Sequence, residues 1–447
     1  MNNTSKVDNM NDTAANLVSA RIDDLRDELL ATLSTAIGIR SVNPTYADQD
    51  YDDLVGGETA VSQLLAHVYR EAGAEVELFG EASGRDNAVG VVAGSGGGRS
   101  LVFNGHVDVV PADNAAAWTH DPFTAVVADD HLWGRGSVDM KSGLVAQAFA
   151  ARALREAGIR LRGDLILQAV AGEENLEHHM GTSAVLARGY LGDAAIVAEP
   201  TGAAEPLTVM PATPGVLVFR IDVTGKAAHA SMRSRMLAER SDQSVASSAI
   251  DSGLAVHEAL RRLESDWVST KIDPLFTPGQ FTIGLDVIDG GAGGSRNVAF
   301  IPDEMALEYA VFYPPAAELS DIQGEIESAV ASAAQRDPWM RSHPPAITWQ
   351  MHYPGGRTDG DHPFCLTVAG ARTRAAAHTR LAGEPDVMPF PSATDLTWLS
   401  RAGIPTVGLG PGSLSMAHAV DERCSIDEII CAAKTYAFAA IDWCGVE

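Results

Sequence analysis

The sequence predicts an α/β protein: a largely parallel sheet flanked by helices, interrupted by a smaller α+β unit. Short β-branched runs alternate with amphipathic helices over roughly the first 200 residues, and the same texture returns after about residue 400. Between them the order of strands and helices changes, and 447 residues are more than one hydrophobic core usually organises.

In chain order, apolar residues recur at helical spacing over residues 17–33 and stop before the turn signal Ser41-Val42-Asn43-Pro44, so one helix packed on the sheet is expected there. Residues 1–15 are polar and are expected to fray. Strands are expected at residues 89–93, 101–104, 165–171 and 195–199, with an amphipathic helix at 144–157. The glycine run 94–98 carries no Lys-Ser/Thr and opens no helix, which makes it a hairpin-like loop rather than a phosphate cradle. The middle unit reads as strands at 216–223, 281–287 and 305–313 with helices at 245–263 and 319–334, and its glycine run 290–294 as a tight loop with positive φ. A strand at 405–409 and a helix at 426–441 then rejoin the first sheet.

The chain carries 32 Lys and Arg against 59 Asp and Glu, a formal charge of −27, which repels phosphate backbones and anionic headgroups. Nucleic acid and membrane surfaces are poor partners for it; a small molecule is the partner left. No apolar run approaches the ~18 residues of a membrane span, and the start lacks the basic and apolar regions of a secretory signal. Cys365, Cys424, Cys431 and Cys444 form no CxxC pair, so reduced thiols in a soluble, cytoplasmic protein are expected.

Local signals at strand ends carry the chemistry. Asn104-Gly105-His106-Val107-Asp108 ends a strand, where ligand sites of open α/β sheets gather. At a spacing of two, His106 and Asp108 share a side, so the carboxylate is placed to orient the imidazole, although such pairs also occur for structural reasons alone. Trp133-Gly134-Arg135-Gly136-Ser137-Val138-Asp139 delivers an acid just before a helix, a position that by itself suits a cap. Gly172-Glu173-Glu174-Asn175 puts adjacent carboxylates at a strand end, which raises both pKa values unless a cation is present. Ala198-Glu199-Pro200 ends another strand on an acid, and Met416-Ala417-His418 follows the turn Gly410-Pro411-Gly412. Together, three carboxylates and two histidines form the donor set of two borderline divalent cations. Such ions, ~3.5–4 Å apart, share a carboxylate and polarise a carbonyl, and one further carboxylate is needed to move protons.

The segments NGHVD, GRGSVDMKSG, GEEN, AEPT, GKAAHAS (residues 225–231) and MAH, in this order, resemble the motifs of the M20 metallopeptidase family. That group includes acetylornithine deacetylase, succinyl-diaminopimelate desuccinylase, aminoacylase and the glutamate carboxypeptidase, and the resemblance runs from His106 to His418. It implies two divalent ions, zinc or else cobalt or manganese, held by His106, Asp139, Glu174, Glu199 and His418. Asp139 would bridge, His106 and Glu199 completing one ion and Glu174 and His418 the other. The resemblance further implies Asp108 as the orienter of His106, Glu173 as the general base for a hydroxide bridging the ions, and a cis peptide at Asp139-Met140. It implies a catalytic domain of residues 1–212 and 353–447 around a lid and dimerisation domain at 213–352, with a homodimer formed through the lid. His229 would reach the partner subunit's active site and stabilise the oxyanion, assisted by Asn297.

One position departs from the family pattern. Where many relatives carry a lid Arg that grips a substrate carboxylate, this chain reads Ala310-Val311-Phe312-Tyr313, with Phe312 at the Arg position. Without that clamp the substrate is expected to be less like an acyl amino acid and to carry an aromatic or apolar part, the other reading being that Phe312 packs inside the lid. Arg296, Arg233 and Arg235 are the nearby cations available in its place. The expected function is therefore hydrolysis of an amide bond in a small N-acyl compound. A dipeptidase or carboxypeptidase, or a hydrolytic deaminase of an unusual aromatic amino acid, would use the same residues. A non-catalytic binding protein would lack a ligand or the base, and all six positions are filled.

Overall fold

The computed structural model describes residues 3–201, 206–239, 241–293 and 297–447. It divides into two compact units, Met1–Thr213 with Gly356–Glu447, and Pro214–Gly355. No helix among the described residues is long and apolar enough to cross a membrane.

The first unit is built on a six-stranded sheet: β1 (Glu75–Phe79), β2 (Asn87–Val92), β3 (Leu101–His106), β4 (Leu165–Val170), β5 (Ala195–Thr201) and, after the second unit, β10 (Thr406–Ser413). Its order is β1-β2-β4-β3-β5-β10, with β2 alone running against its neighbours. Strands β3, β4 and β5 are buried along their whole length, as a parallel sheet covered on both faces requires. Leu101 and Phe103 face a core built with α4 (Lys141–Glu156) and α8 (Ile426–Cys444). Val102, between them, faces a second core closed by the short helices Thr182–Ala187 and Leu396–Arg401. The register pairs His106 with Val170, so the acidic turn after β4 emerges beside the end of β3.

Two expectations at the start of the chain need correcting. Residues 17–33 do not form one helix; α1 (Asn3–Asp24) and α2 (Arg26–Gly38) meet at Leu25, whose ψ of 0° interrupts the helix. They pack on α4 and α8 rather than on the sheet. From Asn3 onward the polar start is helical rather than frayed, because Ala14, Ala15, Val18 and Ile22 bury one face while polar residues pair outward: Asn11 with Asp442 (3.2 Å) and Asp23 with Lys434 (2.7 Å). Nor is the glycine run 94–98 a hairpin. Strand β4 lies between β2 and β3, and the loop is instead pinned by Ser95 N–H on Leu161 O and Gly96 N–H on Arg162 O, both 2.9 Å.

The second unit is an antiparallel sheet of β6 (Gly215–Thr224), β7 (Thr282–Gly291), β8 (Glu304–Tyr313) and β9 (Ala346–Tyr353), in the order β7-β8-β6-β9. Helix α5 (Ala249–Thr270) lies on one face with α6 (Leu319–Arg336) beside it. Tyr309, Val311 and Tyr313 are buried, while Glu308, Ala310 and Phe312 alternate with them on the other face and stay half-buried. Gly290 and Gly291 end β7 instead of forming a loop; the positive φ falls on Gly293 (54°), and Gly294 lies outside the described residues.

Helix α4 approaches the sheet so closely that a Cβ on Gly143 would lie 2.5 Å from the carbonyl oxygen of Ala198 and 2.7 Å from its Cβ. Ala198 precedes Glu199 on β5. Gly143→Ala is expected to cost about 1–3 kcal/mol by overpacking, read by denaturant unfolding. Wild-type stability in that variant would show that α4 can withdraw freely.

Candidate metal centre

Five side chains converge at the carboxyl ends of the parallel strands. His106 ends β3, Glu174 follows β4, Glu199 lies on β5, His418 follows β10, and Asp139 sits two residues before α4. Their ligand atoms form two groups, His106 with Asp139 and Glu199, and Asp139 with Glu174 and His418, each with all atoms within 4.8 Å of one another. Asp139 is common to both. Its Oδ1 is 3.1 Å from His106 Nε2, and its Oδ2 is 3.4 Å from His418 Nε2. His418 Nε2 also lies 3.1 Å from Glu174 Oε2. The Asp139-Met140 peptide is cis, as the resemblance implies.

The sequence suggests the Asp108 carboxylate as the group that orients His106, and here the structure differs. The strand ends at His106, so the chain turns and presents the Asp108 backbone carbonyl to His106 Nδ1 at 2.9 Å; the carboxylate stays 3.7 Å away. A proton held on Nδ1 leaves Nε2 to face the carboxylates, where it donates to Asp139 while the ring is protonated on both nitrogens and would offer its lone pair to a cation once that proton is lost. The Asp108 carboxylate instead accepts the N–H groups of Gly172, Glu173 and Glu174 (3.1–3.2 Å) and the amide of Asn43 (2.9 Å). It holds the acidic turn.

Glu173 lies beside the two groups, not within them: its Oε2 is 3.8 Å from His106 Nε2. Burial pushes its carboxyl well above the ordinary range; the neighbouring His106 opposes this, and Glu199, Asp395 and Glu174 add to it. Burial, with the charge of Asp139, also lifts Glu174 to about 7 and Glu199 to about 8. Burial alone would raise Asp139 too, but hydrogen bonds from His106 and His418 hold it well below the usual carboxylate range. Donating to Asp139 and Glu174 raises His418 to about 10.

This donor set fits two divalent cations. Glu174 Oε1 is buried and, among the described residues, accepts no hydrogen bond, which is costly for a carboxylate unless a cation takes it. Asp139, Glu173, Glu174 and Glu199 also crowd more negative charge than the two imidazoles balance, and mixed imidazole and carboxylate donors suit borderline ions.

The sequence missed the residues that support the ligands. Glu422, fully buried and 2.5 Å from Arg135 Nη1, accepts the N–H groups of Val138 (2.7 Å) and Asp139 (3.2 Å), fixing the loop that carries Asp139, the residue common to both groups. Thr394 donates to Glu199 Oε1 at 2.6 Å, and Asp395 accepts from Thr182 at 2.7 Å. The acids that follow His418, Asp421 and Glu422, were a readable signal; nothing in the sequence marks Thr394.

The remaining predicted residues belong to the second unit. His229 is exposed, and its Nδ1 accepts from Ser231 N–H at 3.2 Å. Asn297 uses its side-chain oxygen to accept from Ala299 N–H at 2.9 Å. Arg233 pairs with Asp251 at 2.9 Å and Arg235 with Glu239 at 2.8 Å, exposed pairs within that unit. Arg296 lies outside the described residues. Phe312 is half-buried on the sheet face away from α5.

Residues 102–442 match the family described as Peptidase family M20/M25/M40. An N-formyl-4-amino-5-aminomethyl-2-methylpyrimidine deformylase from Halalkalibacterium halodurans is 34% identical over 437 residues, covering 95% of this chain and 96% of the relative. The enzyme of that name from Bacillus subtilis is 31% identical over 436 residues, with coverage of 95% and 96%. Among solved structures, an M20 family metallo-carboxypeptidase from Sulfolobus solfataricus is similar with a TM-score of 0.65 at 18% identity, covering 92% of this chain and 98% of that one. The chain thus belongs to peptidase family M20/M25/M40, and it is a metal-dependent hydrolase of the amide carbon–nitrogen bonds of small molecules.

Proposed function

We propose that the protein is a deformylase, removing the formyl group from the aminomethyl nitrogen of an aminopyrimidine. The observation that carries this reading is the likeness, over nearly the full length of both chains, to two enzymes bearing that name. Phe312 supports it: an aromatic side chain stands where a clamp for an amino-acid carboxylate would be, and a pyrimidine substrate has a ring and no carboxylate.

In this proposal His106, Asp139, Glu174, Glu199 and His418 hold two zinc ions, which when bound would polarise the formyl oxygen and acidify water. Glu173 takes the proton of the attacking water and returns it to the leaving nitrogen, a role supported by its place beside the two ligand groups but in neither of them. The Asp108 carbonyl keeps the His106 proton on Nδ1. His229 of the partner subunit donates from Nε2 to the developing oxyanion, a role favoured by the backbone N–H that Nδ1 already accepts. The Pro214–Gly355 unit is assigned as the lid and dimerisation domain, with Asn297 assisting His229. Association is supported by edge strand β7, which exposes Val287 (49%) and Ile288 (58%). A cytoplasmic setting belongs to the same proposal, supported by four buried, free cysteines.

A substrate panel tests the reading. Zinc-loaded enzyme is expected to release formate from the N-formyl aminomethylpyrimidine at least about a hundredfold faster, by kcat/KM, than it cleaves N-acetyl amino acids or dipeptides, the scale of discrimination a hydrogen-bonding pocket supplies. Preference for an acyl amino acid would reject it.

A further inference from the structure

The acidic turn that carries Glu173 and Glu174 is held from behind by a polar network whose central residues, Glu58, Arg85 and Glu177, lie outside the ligand motifs. At its centre is Arg85, 2% exposed, just before β2. Arg85 Nε and Nη2 engage the two oxygens of Glu58, itself 1% exposed in the first turn of the helix Gly57–Glu71, with Nη2 to Oε1 at 2.9 Å. Its remaining nitrogen, Nη1, donates to Glu177 Oε2 at 2.9 Å. Glu177 Oε2 also accepts from Thr45 Oγ1 (2.9 Å) and Asn43 Nδ2 (3.3 Å).

The same Asn43 amide donates to Asp108, whose carboxylate accepts the N–H groups of residues 172–174. One side chain therefore joins the two carboxylates that grip the turn at its beginning and its end. Glu177 N–H closes the turn on Gly172 O at 2.7 Å, Tyr46 O–H donates to Glu174 O at 2.8 Å, and Asn175 Nδ2 donates to Thr45 at 2.7 Å. A planar guanidinium fixed along one edge by Glu58 has one direction left for Nη1, and that direction is Glu177.

We propose that Arg85 and Glu177 are positioning residues for the reaction: they set the turn so that Glu174 Oε2 meets His418 and Glu173 faces His106. This inference rests on the proposed roles of Glu173 and Glu174. Arg85→Lys keeps the charge but not the fork. Glu177→Gln keeps the oxygen that Thr45 and Asn43 use but not the charge that Arg85 meets, and Glu177 is 21% exposed, so this variant is the milder one.

The test is titration of metal-free protein with Zn²⁺ against a chromophoric chelator, together with kcat, KM and thermal melting. Both variants are expected to bind one of the two zinc equivalents about 10–100-fold more weakly, as loss of a group supporting a ligand does. In both, kcat falls while KM stays within about twofold. If Arg85→Lys fails to fold, Glu177→Gln decides alone. Wild-type zinc affinity and kcat in Glu177→Gln, even with a lower melting temperature, overturn the proposal and leave the network a purely structural one. Glu174→Gln is the control: loss of one equivalent there, but not in Glu177→Gln, defeats the network alone, whereas two tight equivalents in Glu174→Gln defeat the ligand assignment and the inference with it.

Discussion

Replacing Glu173 with Gln is expected to lower kcat by about 10²–10⁴-fold, the usual contribution of a positioned acid–base group, with both metal equivalents retained. Retention follows from geometry. Glu173 is outside both ligand groups, and the bond that places it in the turn runs from its backbone N–H to Asp108, which the substitution does not touch. Turnover kinetics and metal analysis of the same preparation check both halves. Near wild-type turnover would remove Glu173 as the base; loss of metal would make it a ligand instead.

The second large effect concerns the metal-free protein, whose stability is expected to fall as pH rises from 6 to 9. Glu174 and Glu199 titrate at about 7 and about 8 in the folded chain, above the ordinary 4.5, and His418 at about 10, above 6.5. The cause in the two acids is chiefly burial; in His418 it is the bonds to Asp139 and Glu174. A group whose folded pKa is raised stabilises the fold below its unfolded pKa, and that contribution is lost as pH rises through the folded value. All three therefore act in the same direction across this window. Asp139 has the opposite sign, but its contribution is already complete above about pH 5 and stays level here. At about 1.4 kcal/mol per pKa unit the two buried acids alone lose on the order of a few kcal/mol, a large part of a domain's stability; His418, its side chain 53% exposed, adds less because solvent screens its bonds. Bound cations replace the protons, so the melting temperature of metal-loaded protein should stay flat or rise over the same range. A metal-free melting curve that does not move between pH 6 and 9 would show that the carboxylates are not buried against one another as described.

The five convergent side chains were legible because each lies where a strand ends or a helix begins, and apolar patterning locates such ends well. His106 and Glu199 needed only the strands before them. The orientation of those side chains was not legible: Asp108 changes role because the strand stops two residues earlier, a matter of one peptide's direction that composition does not record. Glu422, Thr394 and Arg85 act on residues far from them in the chain, and buried pairing of that kind leaves no periodic trace. In the second unit, the strand Ala346–Tyr353 is an element the sequence does mark, since Ile347, Trp349, Met351 and Tyr353 alternate with polar residues at period two. The start of the chain misled for a different reason, since its polar residues are fixed by partners on α8 that only tertiary structure supplies.

The insertion of the second unit between β5 and β10 has a consequence for biosynthesis. His106, Asp139 and Glu199 are all made before the insertion, whereas His418 follows Glu199 by 219 residues (418 − 199). At ~5–20 residues per second, a chain on the ribosome holds one complete trio of donors for about 10–45 seconds before the other trio exists. During that interval β5 also lacks β10 and presents an open edge to any passing strand. The order of the genetic message thus sets an order of assembly in which one half of the centre is complete, and its sheet unsealed, well before the other half is translated.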